Sequence, residues 1–197
     1  MTKWFAMVLA AAALAAPLRA ETYNIDPAHS GITFKVRHLV TKVAGRFEKY
    51  SGSFDYVPGK PEAWKAQAKI DAASINTNVE PRDKHLRSAD FFDVEKCPAI
   101  EFQTKEITNV QGDKAKLHGD LTMHCVTKPV TLDLEIGGVA KDPWGGTRAG
   151  ATATTTINRK DFGLGWNKAL EAGGFLVGDD VEITLDIEGT QAKKDAK

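Results

Sequence analysis

Hydrophobic and polar residues alternate along most of the chain after residue 21. The alternation is unbroken over residues 130–136 and 181–188, and it recurs over residues 32–37 and 117–123. Successive side chains of a strand point to opposite faces of a sheet, so each segment predicts a strand with one apolar and one solvated face. Strands of this kind are typical of antiparallel sheets.

The spacing of strands and turns predicts how the sheet is organised. Three further segments predict strands: 43–56, 65–73 and 148–159. Turn-forming residues separate the strands at 58–61, 111–113, 142–146 and 173–174. A closed barrel has no sheet edges, and about eight strands enclose an interior that side chains or one ligand can fill. We therefore predict an all-β, eight-stranded antiparallel barrel.

One segment departs from this pattern and predicts a short helix around residues 81–91. Pro81 suits the first turn of a helix, Asp83 makes that turn acidic, and good helix formers follow. The length of 197 residues fits one domain, which we place at residues 21–190. The polar residues 191–197 are predicted to form a disordered tail.

The first twenty residues have the features of a secretory signal peptide. Lys3 provides a positive charge, residues 4–16 are apolar, and Ala20 ends a small-residue cleavage site. The apolar run is too short for a comfortable membrane span, although an uncleaved anchor is the alternative. We predict that residues 1–20 are cleaved during export.

The charge balance gives no sign of a polyanionic partner. The chain has 26 basic and 26 acidic residues, and loss of Lys3 and Arg19 with the signal peptide leaves 24 against 26. Because the sequence shows no basic stripe, neither nucleic acid nor an anionic membrane is predicted as a partner.

Two cysteines remain in the predicted exported part, Cys97 and Cys125. Each flanks a strand-like segment, and Gln111, the residue midway between them, lies in a turn. A simple antiparallel hairpin would place the two thiols opposite each other, within reach of a disulfide. The alternative is a pair of unpaired thiols.

Several short motifs follow one another in a fixed order. They are Tyr23-x-Ile25-Asp26-x-x-His29-Ser30-x-Ile32-x-Phe34-x-Val36-x-His38, Ser74-Ile75-x-Thr77, Arg82-Asp83-x-His85-Leu86-Arg87-Ser88-x-Asp90-Phe91-Phe92, Pro98-x-Ile100-x-Phe102, Gly119-Asp120-Leu121-Thr122, Val126-Thr127-Lys128-Pro129-Val130-Thr131-Leu132, Asp142-Pro143-Trp144-Gly145, Asn158-Arg159-x-Asp161-Phe162-Gly163 and Gly178-Asp179-x-Val181. From roughly residue 23 to residue 189 the chain therefore resembles the YceI family.

The resemblance implies a lipocalin-like barrel that encloses the tail of a polyisoprenoid, such as a prenyl diphosphate or an isoprenoid quinone. It also implies a periplasmic location and a homodimer. Cys125 stands where the family commonly has glycine, before Val126-Thr127-Lys128-Pro129. This departure supports a disulfide particular to a subset of members.

Alternation along the strands predicts which side chains face the interior and contact the ligand. These are Ile32, Phe34, Val36, His38, Phe47, Phe54, Ala68, Ile70, Ile100, Phe102, Leu121, Met123, Leu132, Leu134, Ala151, Ala153, Trp166, Ile183 and Leu185. Small inward residues should leave volume that large ones would fill, namely Ala66, Ala68, Ala72, Gly119, Ala149, Ala151 and Ala153.

Five polar residues are candidates for a ligand head group: His38, Arg82, His85, Arg87 and Asn158. His38 continues an inward face, and the alternative is a histidine satisfied by a buried hydrogen bond. An arginine of the 82–87 segment could bind a diphosphate, but a structural network of Arg82, Asp83 and Asp90 is favoured.

The sequence carries no catalytic or metal motif. It has no GxSxG elbow, and its histidines lack the close spacing of a zinc site. We therefore predict a non-enzymatic carrier with no cofactor or metal besides the bound isoprenoid or similar amphiphile. The alternatives are a partner of a membrane redox protein and a hydrolase acting on a small substrate.

Overall fold

A computed structural model describes residues 20–170 and 173–193. The strands are β1 (Glu21–Ile25), β2 (Gly31–His38), β3 (Thr41–Phe47), β4 (Tyr50–Tyr56), β5 (Lys65–Asp71), β6 (Ile75–Asn76), β7 (Ala99–Gln111), β8 (Lys114–Met123), β9 (Val126–Lys141), β10 (Thr147–Asn158) and β11 (Val177–Gln191). One α-helix, α1, spans Glu80–Arg87, and short 3-10 helices span Pro61–Ala63, Ala72–Ser74 and Arg159–Phe162.

The strands close into an eight-membered antiparallel ring, which confirms the predicted fold. The order is β1-β4-β5-β7-β8-β9-β10-β11, and β1 closes the ring by pairing with β11. The remaining three strands lengthen the wall of the ring at one end. β2 pairs with the same strand as β1, namely β11. β3 then pairs with β2, and β6 pairs with β3.

The segment 43–56, predicted as one strand, is divided into β3 and β4. The break falls at Glu48 and Lys49, whose backbone amides donate to Ser74 Oγ at 3.2 and 3.0 Å. On one side of the break the chain pairs with β6, and on the other it pairs with β5. The serine hydroxyl therefore satisfies the backbone where the strand bends.

The helix predicted around residues 81–91 is present but shorter. It begins at Glu80 with Pro81 in its first turn and ends at Arg87. Ser88 Oγ donates to the backbone oxygen of His85 at 2.8 Å and accepts from the amide of Asp90 at 3.3 Å. This side-chain bonding competes with helical bonding and turns the chain away.

The strand registers define two ends of the barrel. The turns at 39–40 and 124–125 lie at the end that carries α1, which we call the helix end. The turns at 112–113 and 142–146 lie at the opposite end, which we call the Trp64 end.

Buried apolar side chains form one cluster toward each end. The cluster of the helix end contains Ile32, Phe47, Ala72, Ile75, Phe91, Ile100, Met123, Ile157, Phe162 and Leu164. The cluster of the Trp64 end contains Val57, Trp64, Ile107, Ala115, Leu117, Leu132, Leu134 and Ala153. Each fully buried large aliphatic or aromatic side chain contributes about 1.5–3 kcal/mol, so these clusters supply most of the driving force for closing the barrel.

The predicted disulfide between Cys97 and Cys125 is confirmed. β7 and β8 form the expected hairpin, and the two cysteines beyond its open end have Cα atoms 5.4 Å apart. His124 and Cys125 form the β8–β9 turn with φ values of 51° and 58°. Positive φ at both positions is the geometry of a type I′ turn, where glycine and asparagine are normally preferred.

At its C-terminal side the barrel runs slightly past the predicted boundary at residue 190. β11 ends at Gln191, and the amide of Ala192 donates to Thr22 O at 2.8 Å. The predicted signal peptide, up to residue 19, and residues 194–197 of the predicted tail lie outside the described residues. Within residues 20–170 and 173–193, no helix is long and apolar enough to span a bilayer.

Candidate functional site

An apolar cavity of about 410 Å³ occupies the interior of the barrel. Its wall draws on strands from the whole ring and on α1, and every residue that alternation predicted for the interior lies on it. Volumes of about 300–1,000 Å³ are typical of small-molecule sites. The barrel therefore encloses a space of ligand size rather than a solid core.

Small side chains account for part of this space. Those on the cavity wall are Ala66, Ala68, Ala151 and Ala153. The prediction fails for Gly119, because a Cβ there would lie 2.4 Å from the ring of Phe102, which fills the space that the glycine leaves. Ala72 and Ala149 are buried but lie outside the wall.

Trp64 closes the cavity at the end named after it. Its side chain is only 8% exposed, its indole Nε1 donates to Val57 O at 3.0 Å, and its ring lies 4.5 Å from that of Tyr56. Sequence reasoning missed Trp64 because it follows a short 3-10 helix, Pro61–Ala63, where no alternation marks the inward face.

Three aromatic rings meet on the wall at the helix end. His85 lies edge-on to Phe91 and Trp166 at centroid distances of 5.1 and 4.8 Å, and the latter two rings are 5.2 Å apart. His85 Nε2 contacts Asp90 Oδ2 at 3.0 Å, which fixes the orientation of the imidazole. Of these residues, sequence reasoning predicted Trp166 for the interior and His85 for the head group.

In the part of the chain that the structure describes, His38 is a polar wall residue whose side chain is free to bind a ligand. It ends β2 and lines the cavity next to the turn at 39–40. Among the described residues its imidazole has no hydrogen-bond partner, so the alternative of a histidine satisfied by a buried hydrogen bond does not describe it. Both ring nitrogens are available to a polar group in the cavity.

Arg82 lines the cavity but is held by Thr77. Its Nε donates to Thr77 Oγ1 at 2.7 Å and its Nη2 donates to Thr77 O at 2.9 Å. The buried carboxylate of Asp83 accepts from the amide of Thr77 at 2.9 Å. The structural reading of this segment is therefore correct in kind, although Thr77 rather than Asp90 joins the two side chains.

Arg87 and Asn158, which the sequence predicts for the head group, lie outside the cavity wall. Arg87 donates to Ala73 O at 2.9 Å and Ile75 O at 3.0 Å, and thereby attaches α1 to β6. Asn158 Oδ1 accepts from the amide of Lys160 at 3.0 Å and caps the following 3-10 helix. Both side chains serve the local backbone.

Arg159 reaches the wall instead, and sequence reasoning missed it. The residue is 4% exposed. Its guanidinium donates to the carbonyl oxygens of Gly178 (2.9 Å), Trp166 (2.9 Å) and Leu164. Burial away from water lowers the pKa of this guanidinium. Extending the inward face of β10 from Ala153 by steps of two residues reaches Arg159, so the signal was present in the sequence.

A second polar group lies outside the barrel, near the Trp64 end. Asp26, His29 and Glu188 hold potential metal-ligand atoms within 4.8 Å of one another. The Arg148 guanidinium lies among them, 2.9 Å from Asp26 Oδ2 and 2.6 Å from Glu188 Oε1. It already supplies the positive charge, so we interpret the group as a structural ion network. Hydrogen bonds from His29 and then Arg148 lower the pKa of Asp26 to about 2.

Comparison with known proteins places this architecture in a family. Residues 23–189 match the model of the YceI-like domain. A UPF0312 protein of Vibrio cholerae is 37% identical over 97% of this chain and 100% of its own length.

Two solved structures share the fold. The YceI protein of Campylobacter jejuni matches with a TM-score of 0.68 and 33% identity, over 81% of this chain and 91% of its own. A polyisoprenoid-binding domain from Saccharophagus degradans matches with a TM-score of 0.63 over 89% of this chain and 100% of its own, and at 16% identity it speaks for the fold alone. The chain belongs to the YceI-like family.

Proposed function

We propose that this protein is a periplasmic carrier that holds the tail of an isoprenoid lipid, or of a similar amphiphile, inside its barrel. The observation that carries the proposal is the apolar cavity of about 410 Å³ inside the barrel. Each CH₂ group moved from water into such a cavity contributes roughly 0.8 kcal/mol, so a long chain gains much by entering. The polyisoprenoid bound by the Saccharophagus degradans domain supports this class of ligand.

The wall suggests which way the ligand points. His38, Arg82, His85 and Arg159 lie at the helix end, whereas Trp64 closes the other end with its indole. Lys65 is the cationic wall residue on the Trp64 side, and its side chain is exposed. We therefore place the head group at the helix end, with His38 as its first polar contact, and the apolar tail toward Trp64.

The head groups of a prenyl diphosphate and an isoprenoid quinone require different binding groups at the helix end. A diphosphate needs fixed cations, but Arg82 and Arg159 already donate to protein oxygens. A quinone carbonyl oxygen needs a single neutral hydrogen-bond donor, which the His38 imidazole can supply. The geometry thus supports an isoprenoid quinone better than a diphosphate.

The remaining parts of the proposal concern location and activity. The disulfide between Cys97 and Cys125 suits an oxidising compartment, in agreement with export by a cleaved signal peptide. We propose binding rather than catalysis, because the cavity wall is mostly aliphatic and aromatic and its arginines are engaged in holding backbone. A homodimer and a membrane redox partner stay predictions.

Quenching of tryptophan fluorescence by a short-chain isoprenoid quinone tests the proposal. Trp64 and Trp166 both lie on the wall, so a quinone in the cavity should quench them saturably. Ala153→Leu adds volume inside the cavity and should raise the Kd about tenfold, the order expected when a few methylenes lose their place. Ala140→Leu is the matched control, since Ala140 is exposed on β9.

A denaturant unfolding curve for each variant verifies that it is folded. If quenching saturates identically in the Ala153→Leu and Ala140→Leu proteins, the quinone binds elsewhere and the proposal fails. If quenching is linear in quinone concentration for the unmodified protein, only collisions occur and the proposal fails as well.

A further inference from the structure

The tip of the β2–β3 hairpin has side chains that its own fold does not explain. The two turn residues are Leu39, which is 44% exposed, and Val40, which is 91% exposed. Leu39 has a φ of 49°, in the left-handed region that bulky residues avoid. Two-residue hairpin turns normally place glycine, asparagine or aspartate at such positions. In this turn a strained backbone conformation occurs together with two aliphatic side chains that are exposed to solvent.

A third apolar side chain extends this surface. The amide of Leu39 donates to Leu176 O at 3.1 Å, which brings the tip against the segment that carries Phe175, a residue 60% exposed. We call Leu39, Val40 and Phe175 the tip patch. His38, Leu176 and Val177 line the cavity directly beside it. The tip patch therefore adjoins the helix end of the cavity, where we place the ligand head group.

The hairpin that carries most of the tip patch is rich in basic residues. The hairpin from residue 31 to residue 47 has four basic residues and no acidic one. Arg37 and Lys42 face each other across the hairpin, although like charges directly opposite are destabilising. Glu182 pairs with Lys42, but within residues 20–170 and 173–193 neither Lys35 nor Arg37 has an ion-pair partner.

Lys160 also lies near Phe175, but its charge is balanced within the protein. Its Nζ is 5.6 Å from the centre of the Phe175 ring and 2.8 Å from Asp179 Oδ2. The sequence prediction of no anionic-membrane partner rested on the charge of the whole chain and on the apparent lack of a basic stripe. Lys35 and Arg37, which lie on the hairpin beside exposed aliphatic residues, are the observation that favours such a partner.

From these observations we infer that the tip patch docks reversibly on the surface of a lipid bilayer that contains anionic lipids. Apolar side chains at a tip can enter the boundary between head groups and acyl chains, about 5–10 Å deep. At roughly 3.3 Å per residue, Arg37 and Lys42 then lie at the level of the head groups. Docking would bring the helix end of the cavity against the bilayer, the solvent in which isoprenoid lipids reside.

A bilayer suits this surface better than a protein partner does. A stable protein interface needs about 20–30 residues on each side, far more than three side chains at two tips provide. An anionic surface also relieves the repulsion between Arg37 and Lys42, and it does so without a complementary shape. Because only a few side chains enter, the association should be weak and should decrease as salt screens the charges.

Co-flotation with lipid vesicles tests this inference. The protein, purified without detergent, is mixed with vesicles of phosphatidylcholine and phosphatidylglycerol, or with vesicles of phosphatidylcholine alone. We expect flotation with the anionic vesicles, and weaker flotation in high salt. The double variant Leu39→Gly/Val40→Ser should reduce the fraction bound about tenfold, since two aliphatic side chains lose their apolar contact. Arg37→Gln should remove most of the preference for anionic vesicles.

The variants also separate docking from stability and from ligand binding. Glycine at position 39 suits the positive φ, so the double variant should melt no lower than the unmodified protein. It should also retain its affinity for quinone, because neither residue lines the cavity. Docking can therefore fail while the proposed function holds, and the reverse is equally possible.

The exposed Trp144 provides the matched control. It is 85% exposed in the 142–146 turn at the Trp64 end, so Trp144→Ser should leave flotation unchanged. Absence of flotation with anionic vesicles overturns the inference and leaves a protein partner as the occupant of the tip patch. Flotation that Trp144→Ser abolishes, or that the double variant retains in full, overturns it too.

Discussion

At the Trp64 end of the barrel, the Trp64 indole and the Arg148 ion network find their partners within the protein, whereas at the helix end the His38 imidazole does not find one within residues 20–170 and 173–193. Trp64 packs on Tyr56 and bonds to Val57, and the Arg148 guanidinium joins Asp26 and Glu188. At the helix end, by contrast, the His38 imidazole has no hydrogen-bond partner among the described residues, and the tip patch faces solvent.

The backbone shows the same difference. Leu39, His124 and Cys125 adopt positive φ in turns of the helix end. At the other end positive φ falls on Gly112 and Gly145, and on Asn109, a residue type that tolerates it better than leucine does. Local strain and unpaired polar groups are expected where a protein meets something other than itself. The comparison indicates that both ends stabilise the fold, and that the helix end, which also holds the disulfide and Arg159, is the one that leaves groups available for a ligand and a membrane.

The largest effect should come from removing the residue that closes the stable end. Trp64→Ala deletes a buried indole and leaves a void, which should lower the free energy of unfolding by about 3–5 kcal/mol. Chemical denaturation measures this change. Trp144→Ala, at an exposed position of the same end, should change it by less than about 0.5 kcal/mol. Equal losses in the two variants would show that Trp64 does not close the barrel.

The disulfide should contribute nearly as much, and it acts at the helix end. Cys97 and Cys125 are separated by 28 residues, and closing a loop of that length stabilises by about 3–4 kcal/mol. Unfolding curves with and without reductant measure the difference in one and the same chain. The Cys97→Ala/Cys125→Gly variant should not respond to reductant, and an unmodified protein that also fails to respond would contradict the prediction.

Besides the disulfide, Arg159 stabilises the helix end. Arg159→Leu leaves the carbonyls of Leu164, Trp166 and Gly178 without this donor, at a total cost of about 3 kcal/mol. The neighbouring Lys160 is the control, because its ion pair with Asp179 is exposed and should be worth no more than about 1 kcal/mol. If Lys160→Leu costs as much as Arg159→Leu, general charge rather than the buried donor set accounts for the loss.

The smallest effect concerns the ion network near the Trp64 end. Hydrogen bonds from His29 and Arg148 lower the pKa of Asp26 from 3.8 to about 2. Because the folded pKa lies below the unfolded one, the network stabilises the protein above about pH 4 and this contribution is lost as the pH falls toward 2. The Asp26→Asn protein should lose less stability than the unmodified one between these pH values. Parallel curves of unfolding free energy against pH would contradict this assignment.

The regular part of the molecule was predictable from the sequence. Strict alternation, as over residues 181–188, fixes which side chains face inward once the first is known, so the interior list and the cavity wall agree. The hairpin flanked by Cys97 and Cys125 follows from the turn midway between them. These features depend on short-range patterns that the fold preserves.

The irregular part was not predictable in the same way. Trp64 follows a 3-10 helix, and the turn at 39–40 carries no glycine, asparagine or aspartate to announce it. The sequence predicts Asn158 for the head group, whereas the inward face of β10 passes through Arg159, one residue further on. The roles of such positions depend on tertiary contacts. A prediction that is wrong by one residue therefore selects Asn158, which caps a 3-10 helix, in place of Arg159, which lines the cavity.

Mass spectrometry of an organic extract tests the central claim most directly. The protein should be purified from the cells that produce it, without detergent, and verified as folded and monodisperse before extraction. We predict an isoprenoid lipid close to one per chain, and much less of it in the Ala153→Leu protein than in the Ala140→Leu protein. A folded, monodisperse sample that yields no lipid would contradict the account of the barrel as a lipid carrier.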